Sequence, residues 1–155
     1  MSLNERFAES QGAPIELDGR LVHGIHRLPV RPPGPIEVTV LKHSIQRAQG
    51  LALRVKPGRL AINDVKSKAM DLWTDTMPGP IVSIKLEAPA DIVELTIWNL
   101  WRHQGQTWAF SRNAGMLVEP ADDGVILRCS DGFGEVNFDD LVVQVRMTTP
   151  DEGPG

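Results

Sequence analysis

The chain has 155 residues, of which 41% are hydrophobic and 23% charged, and its formal net charge is −4. This length and composition predict one globular domain and exclude a wholly disordered chain. The acidic balance argues against duplex nucleic acid and against anionic membranes as partners, because both attract clustered positive charge. No apolar run reaches the roughly 18 residues that would predict a transmembrane helix.

The single cysteine, Cys129, excludes an intrachain disulfide and a multi-cysteine zinc site. It follows apolar residues in segment 125–129, so we expect it to be a small buried hydrophobe. Residues 1–6 lack the apolar core of a signal peptide, which favours a cytoplasmic protein. No cofactor motif is present, and no cofactor is predicted.

The two ends of the chain are predicted to lie outside the folded domain. Ser2 and Glu5 match a capping box, which predicts a turn or two of helix over residues 3–9. Because so short a helix needs packing to persist, residues 1–14 are predicted to be flexible. Residues 15–147 should form the single domain, and the polar, Pro/Gly-rich residues 148–155 a flexible tail.

Two short strands are predicted first, over residues 15–17 and 21–28. Asp18-Gly19 between them is a two-residue hairpin signal. The second segment carries His23 and His26, whose spacing of three places them on opposite faces of a strand. That geometry is poor for a shared metal ion.

Apolar and polar residues alternate in several further segments, which predicts strands with one buried face. Pro57-Gly58 predicts a tight turn that brings residues 60–62 back beside residues 51–55. Residues 43–50 are compatible with a helical turn or with a frayed strand. The other segments with strand character are 36–40, 69–74, 82–86, 107–111, 116–119, 125–129 and 141–147.

The clearest strand covers residues 92–102, where Val93, Leu95 and Ile97 alternate with polar residues. The short connection 88–90 predicts that it forms an antiparallel hairpin with 82–86. A second hairpin is predicted between 107–111 and 116–119. Regular continuation of the strand places Trp98 on its outer face and Trp101 on its inner face.

About ten short strands with one apolar face each predict an all-β protein. The favoured fold is an antiparallel β-sandwich, jelly-roll-like in arrangement, with an immunoglobulin-like sandwich as the second choice. Five alternating strands exclude a parallel sheet covered on both faces, since such strands read as continuous apolar runs.

Acidic residues cluster before the last strand, at Asp131, Glu135, Asp139 and Asp140. Extending the apolar line back from Leu141 places Asp139 on the inner side, where a carboxylate needs a partner. Asp139 would accept backbone N–H groups from the turn at 132–134, or would join Asp131 and Glu135 as a weak candidate calcium site. We predict no metal requirement and no catalytic residues, because no catalytic motif is present.

The segment 134–145 resembles the final strand of carbohydrate-binding jelly-roll and galactose-binding-like domains. Those domains close with an aromatic or aliphatic residue, one or two Asp and an alternating strand, as Phe138, Asp139, Asp140 and the residues after them do here. The resemblance implies a sandwich fold and a sugar ligand.

Two tryptophans and several polar side chains surround the end of the 92–102 strand. Sugars stack on exposed indole rings and are oriented by flanking polar groups. We therefore predict a non-catalytic binding module for a saccharide or another small polar ligand. The predicted binding residues are Trp98, Asn99, Arg102, His103 and Asn113.

The Trp98 surface also allows other functions. It would serve as a homodimer or partner interface if it were flat and apolar. Alternatively, a loop covers Trp98 and the residue is structural. An enzyme assembled from scattered His and Asp residues is the third and least favoured hypothesis.

Overall fold

A computed structural model describes residues 2–147, which contain one helix and fourteen strands. The helix is α1 (Leu3–Glu9). The strands are β1 (Ile15–Leu17), β2 (Arg20–His23), β3 (His26–Val30), β4 (Ile36–His43), β5 (Gln49–Lys56), β6 (Arg59–Ile62), β7 (Val65–Ser67), β8 (Ala69–Trp73), β9 (Ile81–Glu87), β10 (Val93–His103), β11 (Gln106–Trp108), β12 (Gly115–Ala121), β13 (Gly124–Ser130) and β14 (Leu141–Met147).

The strands form an antiparallel β-sandwich, as the alternation predicts. One sheet has nine strands in the order β1-β2-β12-β13-β14-β4-β9-β6-β7, and the other has the order β11-β10-β5-β8, with β3 also paired to β10. The chain passes repeatedly from one sheet to the other. In the described part of the chain, no helix has the length and apolarity to traverse a lipid bilayer.

Strand β10 is the centre of the smaller sheet. It pairs with β5 from Glu94 to Trp101, and its other edge carries first β3 and then β11. Its inner face packs into the main core against the facing sheet. The apolar residues predicted to point inward are buried, and so is Trp101.

Three predicted hairpins are instead crossovers between the sheets. Strand β9 pairs with β4 and β6 rather than with β10, and β6 lies in a different sheet from β5. Likewise β11 pairs with β10 whereas β12 pairs with β13 and β2. A tight turn or short link fixes a change of direction, but it does not determine which sheet the next strand joins.

The predicted capping box is present, and it starts α1. Ser2 Oγ accepts from the Glu5 N–H, and Glu5 Oε1 accepts from the Ser2 N–H, both at 3.2 Å. Leu3 is buried against Val22 and Leu117. The segment 1–14, predicted to be flexible, thus contains a helix that packs on the nine-stranded sheet through Leu3 and the partly buried Phe7. The predicted tail 148–155 lies outside the described residues.

His23 and His26 do not lie on one continuous strand as predicted. The strand breaks at Gly24-Ile25, so His23 belongs to the larger sheet and His26 to the smaller. The break brings the two rings together edge to face, with their centroids 6.3 Å apart. Burial lowers the pKa of both histidines, and the neighbouring His23 lowers that of His26 further.

Candidate functional site

The predicted binding residues on β10 do not share one face. Asn99 points into the sandwich, while Trp98 and Arg102 lie on the outer face of the smaller sheet, because successive strand residues point to opposite sides. His103 is the last residue of β10. The structure therefore separates residues that are adjacent in the sequence.

Trp98 is partly buried by contacts from its own chain. The Arg54 guanidinium lies over the indole, 4.8 Å from the ring centroid. The Phe110 ring, from the segment after β11, lies 5.3 Å away at a tilt of 41°. Trp98 is thus engaged by the protein itself, whereas Phe110 remains 46% exposed.

Arg102 packs on the same outer face. Its guanidinium lies 3.9 Å from the centroid of the Trp73 ring, and Nη1 lies 3.8 Å from Asp75 Oδ2. Trp73 in turn lies against Gly50, where an added Cβ would stand 2.9 Å from the indole. Arg102 therefore completes a stack of backbone, indole and guanidinium.

Asn99 and Asn113 hold parts of the fold together. The buried Asn99 Nδ2 donates to the Ser130 carbonyl at 2.9 Å and so ties the two sheets to each other. Asn113 Oδ1 accepts from the Leu3 N–H at 3.3 Å, and its Nδ2 donates to the Gly134 carbonyl at 2.8 Å. Both side chains therefore connect separate segments of the fold through hydrogen bonds.

His103 borders a groove beside the β10–β11 hairpin. The groove has a volume of about 340 Å³ and lies between the β10–β11 hairpin, residues 111–112 and residues 132–133. Its side chains combine aromatic rings with hydrogen-bond donors. They include Trp101, His103, Gln104, Trp108, Arg112 and Phe133.

Two aromatic rings of this groove are open to solvent. Trp108 is 42% exposed and Phe133 40% exposed. Trp108 lies directly across the hairpin from Trp101, which is buried. The sequence contained a signal for this pair: Gln104-Gly105 allows a two-residue turn, and such a turn places residues 101 and 108 opposite each other.

A buried polar cluster positions the Phe133 side of the groove. Asp131 Oδ2 accepts from Arg47 Nε and from Gln49 Nε2, each at 2.9 Å, and its Oδ1 accepts from the Phe133 N–H at 3.0 Å. Asp131 is fully buried. A buried carboxylate needs such partners, because desolvation of the charge is otherwise costly.

Phe133 is consequently held between two cationic or polar groups. The Arg47 guanidinium lies 4.6 Å from the ring centroid, and the His103 ring lies 4.4 Å from it, centroid to centroid. Arg47 thus contacts both the buried carboxylate and the exposed ring. The orientation of Phe133 is coupled to the Asp131 cluster.

Asp140 belongs to the same buried cluster. Its Oδ2 accepts from the Asp131 N–H at 3.0 Å. Burial raises the pKa of the Asp140 carboxyl to about 6, and the nearby Asp131 charge raises it as well. Cys129 is also fully buried, as predicted, and burial raises the pKa of its thiol.

The weak metal candidates do not converge. Asp131 is committed to Arg47 and Gln49, Glu135 is exposed, and the exposed Asp139 pairs with Lys42 and Arg128. Asp139 was expected to point inward, but β14 begins only at Leu141, so the strand alternation does not extend back to it. Within residues 2–147, no group of three or more His, Cys, Asp or Glu side chains is arranged to hold a metal ion.

The exposed rings and donors of the groove are suited to binding a small polar molecule. Trp108, Phe133 and Arg112 were not among the residues predicted from the sequence; of the predicted set, His103 lines the groove. No protein-family model matches the chain, and comparisons with curated proteins and with solved structures found no match.

Proposed function

We propose that the protein is a non-catalytic binding module and that its ligand, a saccharide or another small polar molecule, occupies the groove beside Trp108. One observation carries the proposal: Trp108 and Phe133 expose their rings in a concave site that also contains polar side chains. The C–H face of a sugar stacks on an exposed ring such as that of Trp108, while its hydroxyl groups need hydrogen-bond partners. His103 and Gln104 supply those partners.

The size and position of the groove support this proposal. Its volume of about 340 Å³ falls within the usual range of small-molecule sites. The segment that resembles carbohydrate-binding domains begins at Gly134, which accepts a hydrogen bond from Asn113 next to the groove. The cytoplasmic location predicted from the sequence remains part of this proposal.

Substitution of Trp108 tests the groove directly. The wild-type protein is screened against a glycan array and a panel of polar metabolites, and hits are measured by calorimetry. Trp108→Ala should weaken binding about fivefold or more, if stacking on this ring contributes at least about 1 kcal/mol, as stacking of a nucleobase on an aromatic side chain does. Its fold should remain intact because Trp108 is on the edge strand β11.

Phe110→Ala is the matched control. Phe110 is similarly exposed but packs on Trp98, on the outer face of the sheet. The control variant should bind normally. Equal affinity of Trp108→Ala and wild type for every hit would exclude the groove as the binding site.

The outer face offers a second candidate function, a homodimer or partner interface. The observation in its favour is the exposed Phe110 ring beside Trp98. An apolar ring of this kind is a typical interface anchor. Light scattering on wild type and Phe110→Ala tests it: a wild-type dimer that becomes monomeric would support the interface, and a wild-type monomer would remove the homodimer.

A further inference from the structure

The groove contains one cation that the rest of the described chain does not neutralise. Arg112 is exposed, and its guanidinium makes no ion pair or hydrogen bond with another residue of 2–147. The other cation beside Phe133, Arg47, is paired with Asp131. Arg112 is thus available to a ligand.

No carboxylate of the described chain lines the groove. Asp131, in the polar cluster that positions Phe133, is buried and already accepts three hydrogen bonds at 2.9–3.0 Å. The chain as a whole carries a formal charge of −4. The side chains that line the groove thus include the cation Arg112 and no carboxylate, which favours an anionic ligand over a cationic one.

The backbone around Arg112 is fixed before any ligand arrives. Its carbonyl accepts from the Asn4 N–H at 2.7 Å, and the next residue, Asn113, is bonded to Leu3 and to Gly134. Arg112 itself has a φ of 51°, a conformation that non-glycine residues adopt only when their surroundings impose it. Binding then costs little loop ordering, which favours affinity.

We infer that the ligand of this groove is an acidic saccharide, one that carries a carboxylate or a sulfate group. This inference rests on the proposed function. Arg112 binds the anionic group, because the planar guanidinium offers paired donors that match carboxylate and sulfate oxygens. Trp108 binds the face of the sugar ring. His103 and Gln104 lie close enough to orient its hydroxyl groups.

Paired acidic and neutral saccharides test this inference. An array of uronic acid and sulfated oligosaccharides, each beside its neutral parent, is probed with the wild-type protein. The acidic member should bind at least tenfold more tightly than its parent, and this difference should shrink as salt is raised. Equal binding of both members, tighter binding of the neutral member, or no binding of any acidic saccharide would overturn the inference.

Arg112→Gln, compared with Arg59→Gln, locates the anionic contact. Arg59 is also exposed but lies on β6, away from the groove. The Arg112 variant should lose the preference for acidic members and keep the residual affinity for the neutral parent, while Arg59→Gln should keep the preference. If Arg112→Gln still prefers acidic to neutral saccharides, Arg112 does not bind the anionic group.

The two proposals fail in different ways. If wild type binds neutral sugars or other polar molecules at least as tightly as their acidic counterparts and Trp108→Ala binds neither, the binding module stands and the acidic ligand class is wrong. If Trp108→Ala leaves all binding unchanged, the proposal that the ligand binds in this groove is wrong.

Discussion

Trp101 and Trp108 lie directly opposite each other across the β10–β11 hairpin, yet their relative exposures are 3% and 42%. Both are on the same face of the sheet, because directly paired residues share a face. Trp101 lies within the sandwich, whereas Trp108 belongs to the edge strand β11. One face of a hairpin thus changes from buried core to exposed surface within a single residue pair.

Replacing Trp101 by alanine should destabilise the fold more than replacing Trp98, because Trp101 lies in the sandwich and Trp98 on the outer face of the smaller sheet. Trp101→Ala should reduce the free energy of unfolding by about 3–5 kcal/mol, the usual cost of removing a buried tryptophan. Trp98→Ala should cost less, about 1–3 kcal/mol, since the ring is only partly buried, although it packs on apolar neighbours as well as on Arg54 and Phe110. Urea denaturation measures both, and an equal cost would contradict the assignment of Trp98 to the outer face.

Asp131→Ala should be among the most destabilising changes outside the apolar core. It leaves Arg47 and Gln49 without their carboxylate, and breaking a buried ion pair costs about 3–5 kcal/mol. The control is Glu87→Ala, which breaks the exposed Lys66 pair and should cost at most about 1 kcal/mol. Similar midpoints for the two variants in urea would show that the Asp131 cluster does not stabilise the fold.

Asp140 should make stability fall as pH rises. Its pKa is about 6 in the folded protein against an ordinary value of 3.8, so between these values the folded state binds more protons than the unfolded state. The contribution of the Asp140 carboxyl to the free energy of unfolding is fully present below pH 3.8 and is lost as the pH rises through about 6. Asp140→Asn keeps an acceptor for the Asp131 N–H and removes the titration. The stability of this variant relative to wild type should therefore increase from pH 4 to pH 7; a constant difference would disprove the raised pKa.

The two histidines should act in the opposite sense. Their pKa values are lowered from 6.5, so the folded state favours the neutral rings. Their contribution is present above pH 6.5 and is lost as the pH falls through the lowered pKa values. His26→Leu should reduce this loss, because His26 Nε2 is buried and has no hydrogen-bond partner among the described residues.

His43→Leu is the control for the histidine prediction, since His43 is exposed at the end of β4. Thermal melts between pH 5 and pH 8 compare the three proteins. If the melting temperatures of wild type and His26→Leu change with pH in parallel, His26 does not have a lowered pKa in the folded protein.

Gly50→Ala should disturb the outer-face stack. The new Cβ would lie 2.9 Å from the Trp73 ring and 3.1 Å from the Leu72 carbonyl, and the backbone atom cannot move away easily. We expect a loss of about 1–3 kcal/mol, typical of overpacking. Gly79→Ala has no atom within 4 Å of the new Cβ and should be nearly neutral in the same urea titration. An equally neutral Gly50→Ala would mean that Trp73 does not lie on Gly50.

The alternation of apolar and polar residues was enough to identify the fold class, most strands and the inward position of Trp101. Alternation is a local property: side chains of successive strand residues point to opposite faces whatever the strand pairs with. The capping box at Ser2 and the hairpin turn at Asp18-Gly19 were predictable for the same reason, since each is specified within a few residues.

The partners of each strand and the residues that form the groove were decided only in the tertiary structure. The Pro57-Gly58 turn looks the same in sequence whether the next strand returns to its own sheet or crosses to the other, and burial of apolar faces from distant strands decides between these outcomes. The groove joins residues 101–112 to residues 132–133 through a carboxylate whose partners, Arg47 and Gln49, are more than 80 positions away. No local pattern encodes such a contact, because its free energy depends on the joint burial of groups that meet only when the two sheets close.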